Sequence, residues 1–150
     1  MIYEIETQYG GKVKVQPRVE LYEVKDFMGK KLPGIAVDLD AMDEKYPTPF
    51  ARLTASFGEF IGIKNAAYID TNNCRFAEQF LKYGIAQDTG LTRTGAYCRY
   101  PLWLFDEKFL KEHGAENYKE YSDAYDKYMG IERAEPEPDE NAGTCFVINK

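Results

Sequence analysis

The sequence predicts an α+β fold: a twisted antiparallel sheet of five or six strands, one packed helix and a C-terminal helical segment. Three observations predict it. Apolar and polar residues alternate through most of the region before Asp70, as half-buried strands require. A capped apolar stripe marks a helix over 73–83, and four tyrosines at helical spacing mark another over 115–129.

Met1 to Thr7 alternates as a strand, and Gly10-Gly11 before the next alternating run is a hairpin signal. Lys12 to Gln16 continues as a strand, with Val13 and Val15 on one face. Pro17 cannot donate to a ladder, so the strand is expected to break there or to run along an edge. Arg18 to Lys25 resumes the β pattern, and Asp26 to Lys31, closed by Pro33-Gly34, reads as a loop. Ile35, Val37 and Leu39 alternate with Ala36, Asp38 and Asp40. Lys45 to Pro49 is an extended link. Ala51, Leu53, Ala55 and Phe57 form a further strand, and Ala66 to Ile69 a short one.

Asp70 to Asn73 offers several capping side chains, and Phe76, Ala77, Phe80 and Leu81 share one helical face, with Gly84 as the stop. Gln87 to Gly95 reads as polar turn. Ala96 to Phe105 reads as an aromatic strand broken at Pro101. Asp106 caps a short helix ending near His113-Gly114, and Ala115 to Met129 forms a second helix stopped by Gly130. An acidic, proline-punctuated linker follows, and Thr144 to Ile148 reads as a terminal strand.

A chain of 150 residues with 44% hydrophobic and 29% charged residues fits one domain with a real core. Its parts are a β-rich scaffold at 1–105, an acidic helical segment and linker at 106–140, and the terminal strand at 144–148. Twelve tyrosines and nine phenylalanines suit core margins and interfaces. The net charge of −6 excludes direct binding to a phosphate backbone, which needs clustered Lys and Arg. Three widely spaced cysteines, without CxxC, fit neither a disulfide framework nor a structural zinc site. Early charge in the first residues does not fit a signal peptide, and no apolar run is long enough to span a membrane. A cytoplasmic protein without a membrane partner is expected.

Catalytic signatures are sparse. His113 is the sole histidine and is expected to be solvated at a helix C-terminus; a Cys98–His113 nucleophile pair has no local signature behind it. Asp38, Asp40, Asp43 and Glu44 form a carboxylate cluster, but its spacing fails the calcium-loop pattern, and Asp38 and Asp40 fit the solvent face of a strand. No GxGxxG, P-loop or GxSxG motif occurs. No cofactor or metal is expected. An enzyme would need a polar pocket around Asp70, Asn72, Arg93 and Arg99.

The charge distribution is the most informative feature. Twelve acids and five bases lie between Asp106 and Glu140, a net −7, which leaves the rest of the chain at +1. A solvated helix face is the simple account. The functional account is a contact surface for a basic protein partner, built from Glu112, Glu116, Glu120, Asp123 and Asp126 beside Tyr118, Tyr121 and Tyr125. The tyrosines are most simply the buried face of their helix; a tyrosine ridge beside the acids is the alternative.

Tyr68-Ile69-Asp70-Thr71-Asn72-Asn73, the Ala77-Glu78-Gln79-Phe80-Leu81 helix, Gly90, Thr92, Gly95, Tyr97-Cys98-Arg99-Tyr100-Pro101-Leu102 and Phe105-Asp106 together carry a resemblance. This middle third resembles a family of small uncharacterised proteins encoded on conjugative transposons and related mobile elements of Gram-positive gut bacteria. The resemblance implies a genomic setting and transfers no catalytic residue. Mobile elements often carry small acidic proteins that disable host defences. The expected function is therefore non-enzymatic binding, with anti-CRISPR or antirestriction inhibition of a host nuclease as the leading form. The alternative is an accessory protein of conjugative transfer or replication.

Overall fold

The computed structural model describes residues 1–42 and 45–130. Among the described residues, two antiparallel sheets of four strands each, with three helices, make an α+β fold. The expected single sheet of five or six strands is thus divided. The first sheet contains β1 (Tyr3–Glu6), β2 (Lys12–Lys25), β3 (Lys31–Ala41) and β4 (Thr48–Arg52), in chain order. The second contains β5 (Thr54–Ala55), β6 (Ala66–Ile69), β7 (Ala86–Thr94) and β8 (Arg99–Phe105), ordered β5-β6-β8-β7. The helices are α1 (Gln79–Lys82), α2 (Glu107–Gly114) and α3 (Glu116–Met129). The expected terminal strand at 144–148 lies outside the described residues.

The division falls inside one predicted strand. Residues 51–57 alternate as a single run, yet the chain changes sheets at Leu53. The Leu53 N–H donates to the Val37 carbonyl of β3 at 2.8 Å, and the Leu53 carbonyl accepts from Asp70 N–H at 2.9 Å, just past β6. Leu53 is fully buried between the sheets, and Thr54 turns its hydroxyl back to the Val37 N–H at 3.1 Å. Alternation records which faces are buried but not which neighbour each backbone bonds, so this corner is silent in the pattern.

Three further expectations are corrected. Pro17 neither breaks β2 nor sits on an uncovered edge: it pairs with Leu39 within an unbroken β2–β3 register from Val15 to Lys25. Odd-numbered residues of β2 turn their backbone groups away from β3, and β1 pairing ends at Tyr3↔Val15. The missing N–H of Pro17 therefore costs no ladder bond. Residues 86–94, read as turn, form edge strand β7, because an exposed edge needs no apolar alternation. A bulge between Asp88 and Thr92 interrupts its pairing with β8. β8 itself runs through Pro101 without a break.

The helix expected over 73–83 is α-helical only at Gln79–Lys82. Upstream, i→i−3 bonds wind it more tightly: Ala77 N–H to Cys74 O, Gln79 to Phe76 and Phe80 to Ala77, each 2.9–3.0 Å. Cys74, Ala77 and Phe80 are all buried and recur every three residues, which matches that tighter winding. The 106–129 segment follows expectation closely. Asp106 caps α2 through Phe109 N–H at 3.2 Å, and Gly130 ends α3 at φ 71°.

The core joins both sheets and the helices α1, α2 and α3 through Ile5, Val15, Val37, Leu39, Leu53, Ile69, Phe80, Trp103, Phe105, Leu110 and Tyr121. Exposed strand edges are closed by helix side chains. Gln79 accepts from Glu6 N–H at 2.9 Å and donates to Glu6 O at 2.7 Å, and Tyr83 donates to Glu4 O at 2.6 Å, so the outer edge of β1 is capped. Beyond β1, the same edge of β2 is covered by the α2–α3 corner. The Pro17 carbonyl accepts from His113, and the Val19 carbonyl accepts from Asn117 at 3.0 Å.

Candidate functional site on the C-terminal helices

α3 lies across the first sheet on β2 and β3, with Tyr118, Tyr121, Tyr125, Ser122 and Asp126 buried beneath it. Each tyrosine hydroxyl finds a partner at the far side. Tyr118 donates to the Asn65 side chain at 2.9 Å, Tyr121 accepts from Asn65 N–H at 2.8 Å, and Tyr125 donates to the Ile61 carbonyl at 3.2 Å. Burial raises all three tyrosine pKa values. Asp126 accepts a two-pronged bond from Lys64 at 2.9 and 3.1 Å.

These findings divide the eight residues assigned to a partner surface. Tyr118, Tyr121, Tyr125 and Asp126 are spent inside the fold and form no outer ridge, because the apolar stripe of an amphipathic helix seeks the sheet. Glu112, Glu116, Glu120 and Asp123 are exposed. Glu112 accepts from the Met1 ammonium at 2.7 Å, which holds its carboxyl below the usual range. Asp123 pairs with Lys119 at 2.9 Å, and Glu107 with Lys111 at 3.2 Å, both one turn apart.

The charge is thinner on this face than the sequence total. Residues 106–130 hold seven acids and four bases, a net −3, while 131–140 hold five acids and one base. More than half of the excess lies outside the described residues. On the helix, Glu116 sits in the first turn of α3, where the helix dipole favours an acid. Glu120 borders an open groove of ≈ 390 Å³ lined also by Leu21, Tyr22, Glu23, Lys31, Leu32 and Pro33.

Other candidates resolve into internal structure. Asp38 accepts from Arg52, and Asp40 accepts from Arg18 at 3.1 and 3.2 Å; Arg18 also pairs with Glu20. This cross-strand ladder neutralises the carboxylates on the solvent face; Asp43 and Glu44 lie outside the described residues. No group of three metal-binding side chains occurs among the described residues. The residues of an enzyme pocket have separate partners: Asp70 caps Asn73, Arg93 stacks over Phe57 and pairs with Glu59, and Asn72 and Arg99 are exposed. Cys74 is buried and donates to the Arg52 carbonyl, and burial pushes its thiol up to about 11, away from the thiolate a nucleophile needs.

His113 departs from expectation most. Its side chain is only 3% exposed, against the rings of Tyr3 and Phe109. Burial, then the Met1 ammonium, lowers its pKa, and its Nε2 has no hydrogen-bond partner among the described residues. Cys98 lies instead in the β7–β8 connection, hydrogen-bonded to Tyr100. The signal that the sequence reading passed over is the Phe27-Met28 pair between lysines in the β2–β3 turn. Both side chains are among the most exposed apolar groups, at 95% and 77%.

No protein-family model, curated protein or solved structure matches this chain.

Proposed function

We propose that this chain is a binding protein that takes a basic segment of a protein partner along the outer face of α3. The observation that carries the reading is the groove beside Glu120. Glu120 and Glu23 flank a floor that includes Leu21, Leu32 and Pro33. A Lys or Arg side chain needs such a combination: apolar surface for its stem and carboxylates for its head. Glu116 extends the acidic run one turn earlier, and the acids of residues 131–140 continue it in sequence.

The buried face of α3 supports this use. Three tyrosine anchors and the Lys64–Asp126 pair hold the helix on the sheet, so its outer carboxylates are presented on a rigid element. A nuclease that holds nucleic acid in a basic channel is the partner class to try first, in the mobile-element setting that the resemblance implies. Occupying such a channel with carboxylates is the inhibition proposed here.

Pull-down against candidate nucleases at rising salt tests the reading. Binding should fall steeply with salt and be lost in the Glu116→Lys/Glu120→Lys double variant. Binding indifferent to both salt and charge reversal would overturn it. Titration with an arginine-rich peptide, followed by NMR, should shift the resonances of Leu21, Glu23, Leu32 and Glu120 first.

A further inference from the structure

The β2–β3 turn exposes an apolar pair that the fold does nothing to hide. Phe27 is 95% exposed and Met28 77%, at the end of the longest hairpin in the first sheet. The turn is braced. Asp26 Oδ1 accepts from Met28 N–H at 2.9 Å and Lys30 N–H at 2.8 Å, and its other oxygen accepts from the Tyr128 hydroxyl at 2.5 Å. Asp26 N–H reaches the Lys30 carbonyl at 3.1 Å, and Gly29 takes φ 87° to close the turn. These bonds fix the backbone of the tip that carries the two side chains.

Charge surrounds the pair. Lys25 and Lys31 stand directly opposite each other at the base of the turn, with Lys30 beside them. Like charges at opposed positions disfavour the pairing unless something anionic lies over them. The one acid of the turn, Asp26, is held ionised by the Tyr128 hydroxyl and by backbone N–H groups, and it points into the brace. Residues 58–60 run beside Lys25 through backbone bonds, with Glu59 paired to Arg93; Phe60 packs on Tyr128 at 4.8 Å, and the exposed apolar Ile63 and Met129 follow these two segments.

We propose that this end of the molecule docks on an anionic lipid surface, with Phe27 and Met28 entering the interface and Lys25, Lys30 and Lys31 meeting the headgroup phosphates. A convex tip with two adjacent apolar side chains and a collar of lysines suits a bilayer, where apolar insertion and attraction to anionic lipid act together. No helix among the described residues is long and apolar enough to cross a membrane, and a peripheral contact needs none. The proposal departs from the expectation that no membrane is involved. Lys31 lies at the border of both this tip and the groove beside Glu120, whereas Lys25, Phe27, Met28 and Lys30 belong to the tip alone and carry the test.

The test is co-sedimentation of the full chain with vesicles of phosphatidylcholine alone or mixed with phosphatidylserine. A Phe27→Trp variant reports insertion by a blue shift against the constant signal of buried Trp103. Binding should require phosphatidylserine and weaken as salt rises. It should drop about tenfold or more in Phe27→Ser/Met28→Ser and in Lys25→Glu/Lys30→Glu. Both variants should keep the parent's circular dichroism, since the tip side chains support no packing. Glu116→Lys/Glu120→Lys should bind vesicles no less well than the parent. Absence of vesicle binding, or binding unchanged in the tip variants, would overturn the proposal, and the former would leave the tip to a pocket on a protein.

Discussion

The backbone N–H of Asn65 donates to the hydroxyl of Tyr121 at 2.8 Å, tying the approach to β6 to the middle of α3. Asn65 holds φ 69°, uncommon for a residue other than glycine. Its side chain accepts from Tyr118, and its carbonyl accepts from Phe105 N–H at 2.8 Å. One residue thus joins α3 to the second sheet, and the tyrosines that might have made a partner surface serve as its latches.

Tyr121→Phe should therefore destabilise the fold although it keeps the ring. It leaves a partly buried N–H without its acceptor, a loss of about 1–3 kcal/mol. Urea unfolding measures it, and an unchanged midpoint would show that water replaces the hydroxyl. Because Tyr121 faces inward, binding through the α3 outer face should survive wherever the variant is folded.

Gly34→Ala probes the crossing of β2 and β3. A methyl there would stand 2.7 Å from Val24 Cγ1 and 2.9 Å from the Tyr22 ring. The neighbours must move, at about 1–3 kcal/mol for overpacking. The thermal midpoint should fall, and Gly34→Ser should fall at least as far.

Gln79→Ala tests edge capping. Its amide replaces a neighbouring strand for Glu6, so its removal should cost about 1 kcal/mol. It should also speed hydrogen exchange at Glu6 before other amides of β1. A protein prone to edge pairing should then associate at high concentration, visible by light scattering.

His113 sets a pH dependence. Its folded pKa lies below the ordinary 6.5, so the unfolded chain takes up the proton first. Stability is complete above that value and is lost as pH falls from 6.5 toward the folded pKa. The neighbours divide in sign: the Met1 ammonium opposes the charged ring, Glu112 favours it, and burial outweighs both. His113→Gln should remove this loss from unfolding midpoints measured between neutral and mildly acid pH. Carboxylates lowered in the fold, such as Asp26 and Glu112, contribute only at more acid pH.

Much was legible without the tertiary structure. Alternation located β1 and β3, apolar and aromatic runs located β6 and β8, and the cap at Asp106 with the stop at Gly130 bounded the last two helices. The tyrosines at helical spacing marked the buried face of α3. What could not be read were the sites where one backbone changes partners. The corner at Leu53 and the covered edge at Pro17 depend on hydrogen bonds to residues distant in sequence, and the tight winding before Gln79 depends on which of its side chains the core buries.

The same division holds for function. Composition and spacing alone determined an acidic chain with an α+β pattern and an amphipathic, acid-bearing helical segment. Only the tertiary structure decided which of those groups reach solvent. It turned Tyr118, Tyr121, Tyr125 and Asp126 inward, buried His113, set Glu120 beside a groove, and left Phe27 and Met28 outside. A residue's type and spacing state what it can do. Whether it meets a partner or the core depends on which surface packs over it, and that is settled by contacts across the whole chain.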